Sequence, residues 1–151
     1  MKAKLVAESA GERTYVMILD PGEEVFATIS EFAAREGLGA ASLTALGALS
    51  QATVGWFDLA QKTYRKIPVM EQCEVLSAIG DIAEGDDGKP SLHMHLVLGL
   101  SDGSTRGGHL LEGRVRPTLE VTLTETPAHL RRKRRPELGL ALIDLAEAAG
   151  P

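Results

Sequence analysis

The sequence predicts an α+β fold: a single domain over residues 1–151, with a long helix packed on a mostly antiparallel, strongly curved sheet. Three observations predict it. Residues 20–39 combine helical apolar spacing with a start and a stop signal. From residue 41 to about 125, apolar and β-branched runs alternate with turn-rich breaks. A chain of 151 residues can bury roughly 70% of the surface its unfolded form exposes, so one core suffices without disulfides.

The elements follow in order. Residues 2–8 and 13–19 read as two strands around the hairpin signal Ser9-Ala10-Gly11-Glu12. Asp20-Pro21-Gly22-Glu23 reads as a helix start, with Asp20 capping, Pro21 at the first helical position and Glu23 at capping-box spacing. Val25, Phe26, Ile29, Phe32 and Ala33 then share one apolar face, and Gly37 and Gly39 end the helix. Strand runs occur at 43–49, 52–57, 73–82, 92–100, 109–115 and 119–123. Breaks fall at Glu84 to Pro90 and at Ser101 to Ser104. Gly47 and Gly55, inside strand runs, suggest bulges or close backbone approach. Trp56-Phe57 reads as core or as a subunit contact. The Ala/Leu-rich end, Glu137 to Ala149, reads as a helix.

Composition narrows the function classes. No run approaches 18 continuous apolar residues, so no helix is expected to cross a membrane. The start, Met1 to Glu8, has no signal-peptide pattern, and a cytoplasmic location is the expectation. The single Cys73 lies in an alternating run and reads as a buried, inert thiol. The net charge of −5 hides an asymmetry: Arg131, Arg132, Lys133, Arg134 and Arg135 hold five of 16 basic residues, leaving 11 against 21 acidic ones elsewhere. An acidic body repels a phosphate backbone, so any nucleic-acid contact is expected at that cluster; its other reading is a solvated charge run.

Three of the four histidines, His93, His95 and His109, fall within seventeen residues. Residues two apart on a strand face the same side, so His93 and His95 are paired. His109 opens the following strand, and three nitrogens with an open position are how a catalytic zinc is usually held. Copper, iron and nickel also suit three imidazoles. The turn decides whether the trio closes. A two-residue Asp102-Gly103 loop pairs His109 with Leu96 and turns it away from the other two. A three-residue Ser101-Asp102-Gly103 loop, with Gly103 left-handed, pairs His109 with His95. Both registers remain open at this point, and a bulge at Gly107-Gly108 would shift either by one. Glu112 and Glu120 lie near in sequence; either could orient an imidazole or shuttle a proton, Glu112 being the candidate catalytic residue. His129, just before the basic run, reads as a surface residue.

Five segments occur in a recognisable order: Ser42 to Ser50, Leu76 to Ile82, Lys89-Pro90-Ser91-Leu92-His93-Met94-His95, Asp102-Gly103, and Gly107-Gly108-His109-Leu110-Leu111-Glu112-Gly113. Together they resemble the PPC domain (plant and prokaryote conserved domain) over about residues 5–145. The resemblance implies a mixed sheet wrapped around a helix, similar to the fold of acetolactate decarboxylase, and assembly as a homotrimer. It implies that His93, His95 and His109 hold a metal, zinc first. It further implies a stand-alone module with a DNA-binding or regulatory role. The alternative is a small zinc-dependent enzyme of lyase or hydrolase type using the same histidines, with Glu112 as proton shuttle. An AT-hook needs a Gly-Arg-Pro core, whereas this chain has Arg134-Arg135-Pro136. Arg106 stands where relatives often carry an aromatic residue just before the two glycines.

Overall fold

The computed structural model describes residues 1–127 and 129–145. The chain opens with β1 (Lys2–Ser9) and β2 (Glu12–Leu19), the expected hairpin. Helix α1 (Val25–Glu36) follows. It begins later than Asp20, because Gly22 is left-handed at φ 87° and breaks any helical path there. Glu24 is the true cap: its backbone is extended and its carboxylate accepts the Ala27 N–H at 2.7 Å. Asp20 and Glu23 instead close a turn, in which the Asp20 N–H donates to Glu23 Oε2 at 2.7 Å. Gly37, at φ 67°, stops the helix as expected, and the Leu38 N–H reaches back to the Ala33 carbonyl. The helix is therefore short, at 12 residues, rather than long. Val25, Ile29, Phe32 and Ala33 are buried, whereas Phe26 lies outside the apolar face at 37% exposure.

Six strand runs resolve into fewer, longer strands. The runs at 43–49 and 52–57 are one 19-residue strand, β3 (Ala40–Asp58), paired with a missed strand, β4 (Thr63–Val69). β4 is charged, carries Pro68 and pairs with β3 alone, which is edge-strand chemistry and gives little apolar alternation to read. β5 (Cys73–Glu84) and β6 (Pro90–Gly99) form the next hairpin. The runs at 109–115 and 119–123 merge into the 21-residue β7 (Thr105–Glu125). β7 pairs with β6 and β2 along one edge and with β3 along the other. β3, β5, β6 and β7 thus pair in a closed ring, which is how the sheet curves around α1. Gly47 carries a bulge: its backbone approaches Thr118 so closely that a Cβ would sit 2.2 Å from the carbonyl oxygen.

The basic run is a strand, β8 (Arg131–Arg135), hairpinned to β9 (Leu140–Asp144). The expected C-terminal helix is overturned over residues 137–144, where Glu137 to Gly139 belong to a turn and Leu140–Asp144 is a strand, and residues 146–149 lie outside the described residues. Helix propensity loses here to cross-strand pairing, a left-handed Gly139 at the turn, and an Arg135–Asp144 ion pair at 3.1 Å. β8 meets β5 in parallel at Glu84 and Arg131, so the sheet is mixed, as the resemblance implies.

Inward positions alternate along each strand. Leu92, Met94, Leu96 and Leu98 of β6 and Leu119, Val121 and Leu123 of β7 join Ile29 and Phe32 in one core. His93 and His95 fall on the opposite, outer face. Cys73 is buried in the core and burial pushes its thiol up, as an inert cysteine requires.

Candidate metal centre

The β6–β7 turn is the three-residue form. The Leu100 N–H bonds the Ser104 carbonyl at 2.9 Å, the Gly103 N–H bonds the Leu100 carbonyl at 3.0 Å, and Gly103 is left-handed at φ 80°. Gly99 then pairs with Thr105, Leu96 with Gly108, and His95 with His109. No bulge interrupts this ladder. Gly108 is needed for a different reason. Its backbone passes so close to β3 that a Cβ would stand 2.5 Å from the Gly55 oxygen. Gly55 in turn leaves room for Tyr64, whose ring stacks on His109 at 4.8 Å and 20°.

The structure brings all three histidines together. His93 Nε2 and His95 Nε2 stand 3.1 Å apart, and one nitrogen from each of the three rings lies within 4.8 Å of the others. A tetrahedral metal at about 2.0–2.1 Å from each imidazole sets its nitrogens roughly 3.3 Å apart, so the first pair is already in place. His109 Nδ1 is buried and has no hydrogen-bond partner among the described residues. An orphaned buried nitrogen beside two facing imidazoles fits a metal better than a hydrogen-bonded cluster. Burial first, then His93, His95 and Arg132, push His109 down to about 4, and burial and His93 lower His95. Both rings are therefore neutral near pH 7, the form a metal needs.

Around the trio lies a support that sequence reasoning missed. Asp81 of β5 pairs across the ladder with His93, and its Oδ2 lies 3.5 Å from His93 Nδ1. Arg132 donates to Asp81 and, at 3.2 Å, to the Ser91 carbonyl. Burial raises the Asp81 carboxyl, but His93 and Arg132 outweigh it and hold the group below the usual carboxylate range. The missed signal was the second hairpin: once β5 and β6 pair across the Glu84–Pro90 break, Asp81 must face His93.

A cleft of about 600 Å³ opens on the histidines. Trp56, Phe57 and Tyr64 form one wall, Gly139 to Leu142 another, and among the described residues no carboxylate lines it. Trp56 is thus a cleft residue rather than core.

The other candidates lie elsewhere. Glu112 lines a separate, smaller hollow of about 120 Å³ with Gln51, Thr53, Met70 and Arg114. Glu120, on β7, pairs with Ile18 and Leu46. The basic run is largely engaged with acid: Arg131 with Glu84 at 2.8 Å, Arg132 with Asp81, and Lys133 and Arg135 with Asp144 at 3.9 and 3.1 Å. Arg134 is exposed, and its backbone N–H bonds Asp86. His129 pairs with Glu84 at 2.8 Å.

Residues 6–127 match the Plants and Prokaryotes Conserved (PCC) domain. The chain belongs to that family. A plant- and prokaryote-conserved (PPC) protein of Pyrococcus horikoshii is 35% identical with a TM-score of 0.82, over 87% of this chain and 91% of its own. A metal-containing protein of Archaeoglobus fulgidus is 32% identical with a TM-score of 0.80, over 94% of this chain and 98% of its own. A "Putative DNA-binding protein" from Ralstonia eutropha JMP134 is 31% identical with a TM-score of 0.80, over 87% and 90%. The bifunctional protein GlmU of Synechococcus sp. strain JA-3-3Ab is 32% identical over 92% of this chain, which spans only 22% of that protein. The expected likeness to acetolactate decarboxylase is distant. A Staphylococcus aureus protein described as similar to that enzyme shares 16% identity and a TM-score of 0.54, a likeness of fold alone.

Proposed function

We propose that this protein is a metal-binding PPC module that holds a divalent transition metal, zinc in first place, on His93, His95 and His109. The observation that carries the reading is the convergence of one nitrogen from each of three imidazoles to within 4.8 Å, with His109 Nδ1 buried and without a hydrogen-bond partner among the described residues. The Archaeoglobus relative, described as metal-containing, supports it. All three donors rise from one face of one sheet and line the cleft. There a zinc supplies a Lewis acid or an activated water. The residues of this chain would fix the imidazoles, with Tyr64 stacked on His109 and Asp81 against His93. The test is elemental analysis of untagged protein after zinc supply and desalting. About one metal per chain is expected; less than about a tenth refutes the reading.

The module is proposed to be a homotrimer. Leu46, Leu76, Ile79 and Val97 are 62, 53, 61 and 42% exposed on the neighbouring strands β3, β5 and β6. Ile79 borders His93 and His95. A clustered apolar surface of this kind is self-association chemistry. Ile79→Glu is expected to shift the sedimentation mass from three copies to one; an unchanged mass refutes this face as the interface.

A DNA-linked or regulatory role is the second part of the reading, supported by the name of the Ralstonia relative and by the exposed Arg131 and Arg134. The alternative, a zinc enzyme, is favoured by the cleft. In that reading Asp81, in contact with His93 at 3.5 Å, is an orienting group rather than a free base.

A further inference from the structure

Arg132 is the one charged side chain that is buried among the described residues, at 6% exposure, although it sits in the most basic stretch of the sequence. Its guanidinium forks: Nη1 donates to the Ser91 carbonyl on β6, and Nη2 donates to Asp81 on β5. It thereby ties together the two strands whose pairing sets His93 opposite Asp81. Asp81 in turn faces the outer nitrogen of His93. A carboxylate on the far nitrogen of a ligating histidine fixes its tautomer and raises its basicity. A carboxylate whose second oxygen is held by a buried guanidinium cannot swing away from that task.

The same arginine belongs to the β8–β9 hairpin, which meets the body through several contacts among the described residues, the Arg131–Glu84 ion pair at 2.8 Å included. β8 and β5 share one ladder position, Glu84 with Arg131, beside the Glu84 N–H to Leu130 carbonyl bond. Lys62 Nζ reaches the Pro136 carbonyl at 3.5 Å, and the Arg134 N–H reaches Asp86. Among these contacts, Arg132 alone runs through to the histidine site. The hairpin also forms the wall of the cleft through Gly139 to Leu142.

We infer that Arg132 is a positioning residue of the metal centre, acting through Asp81 on His93, and that metal loading and docking of the β8–β9 hairpin are therefore coupled. The inference rests on the three-histidine metal site proposed above. Coupling of this kind is reciprocal: whatever the hairpin adds to metal affinity, the metal adds to the docking of the hairpin. It moves Arg132 from the class of phosphate-gripping surface charges to that of site-building groups. It also makes the position of a cleft wall depend on whether metal is bound.

The test uses the full chain with zinc as the probe. Zinc affinity is measured by competition with a chromophoric chelator, and amide exchange of residues 131–144 is followed with and without zinc. Arg132→Met is expected to weaken zinc about 10–100-fold. Arg132→Lys keeps the charge but cannot fork to both partners, and should fall between Arg132→Met and the parent. Removing Arg132 alone strands Asp81, so Asp81→Asn and the double variant Arg132→Met/Asp81→Asn are measured as well. If Arg132 acts through Asp81, the double variant binds no more weakly than Asp81→Asn alone. Zinc should slow exchange across 131–144 in the parent and not in Arg132→Met. Parent-like zinc affinity in Arg132→Met, additive losses in the double variant, or exchange indifferent to zinc each overturn the inference while leaving the metal site standing. A parent chain that takes up no zinc overturns both.

Discussion

The β6–β7 and β8–β9 hairpins each concentrate one kind of residue that can carry positive charge, yet they use it oppositely. On β6 and β7 the three histidines share one face, and the His95–His109 register turns them toward one point. On β8 the five basic residues alternate sides, and four of them end on carboxylates contributed by β5 and β9. Convergence yields a site; divergence yields a strand glued to its neighbours. Clustering in sequence is common to both, and only the strand period and the loop length separate them. The hairpins then meet at Arg132, the one basic side chain aimed at the histidines through Asp81.

The harshest way to break the contrast is to attack the register. Deleting Ser101 forces a two-residue turn and pairs His109 with the wrong face of β6. The deletion also asks the alternating core residues Leu96, Leu98 and Leu110 to give up their places. It is expected to abolish zinc uptake and to cost several kcal/mol, measured by denaturant unfolding with zinc titration. Uptake of one zinc per chain by that variant would show that the trio does not depend on the three-residue loop. A gentler cut is His109→Ala, which leaves the ladder intact. Since removing a supporting group of a metal ligand costs about 10–100-fold, removing the ligand itself should cost more than about 100-fold in zinc affinity with the fold retained.

Acid offers an intermediate effect that touches one hairpin and spares the other. Burial first, then the neighbouring His93, His95 and Arg132, push His109 from the ordinary 6.5 down to about 4. The folded state therefore prefers the neutral ring more than the unfolded state does. This contribution is fully present above about pH 6.5 and is lost as pH falls toward 4. The metal-free protein should hold a level Tm above neutrality and lose stability between pH 6.5 and 4. His109→Ala should show a shallower decline over the same window. Equal slopes for the two proteins would remove His109 from the account. Bound zinc, competing with protons for the same nitrogens, should extend the level region to lower pH.

What could be read before the fold was known follows the same division. His93 and His95 share a face by strand period alone, and the choice at Gly103 reduced the third ligand to two registers, of which the fold takes the glycine-last form. α1, its face and its stop at Gly37 were legible because apolar spacing and a left-handed glycine are local facts. Its start was not, because Asp20-Pro21-Gly22-Glu23 satisfies the capping pattern while Gly22 breaks the path. Residues 140–144 looked helical because their β character is imposed by β8 and Asp144, partners that no local pattern reveals. Asp81 and Arg132 were out of reach for the same reason: one is placed by the β5–β6 register, and the other is buried in a run whose composition says surface.

The smallest expected effect belongs to Arg134, the exposed member of the basic strand. Its side chain does not line the histidine cleft. Arg134→Ala should change stability by less than about 0.5 kcal/mol and leave zinc affinity unaltered. If the strand does grip DNA, taking away one phosphate-binding side chain should lower the slope of log affinity against log salt by about 0.9, and Arg134→Ala is the variant that isolates one such side chain. An unchanged slope beside measurable binding would place the DNA surface away from Arg134. A change in zinc affinity would instead mean that Arg134, like Arg132, reports to the histidines, and the contrast between the two hairpins would have to be redrawn around the whole strand rather than one residue of it.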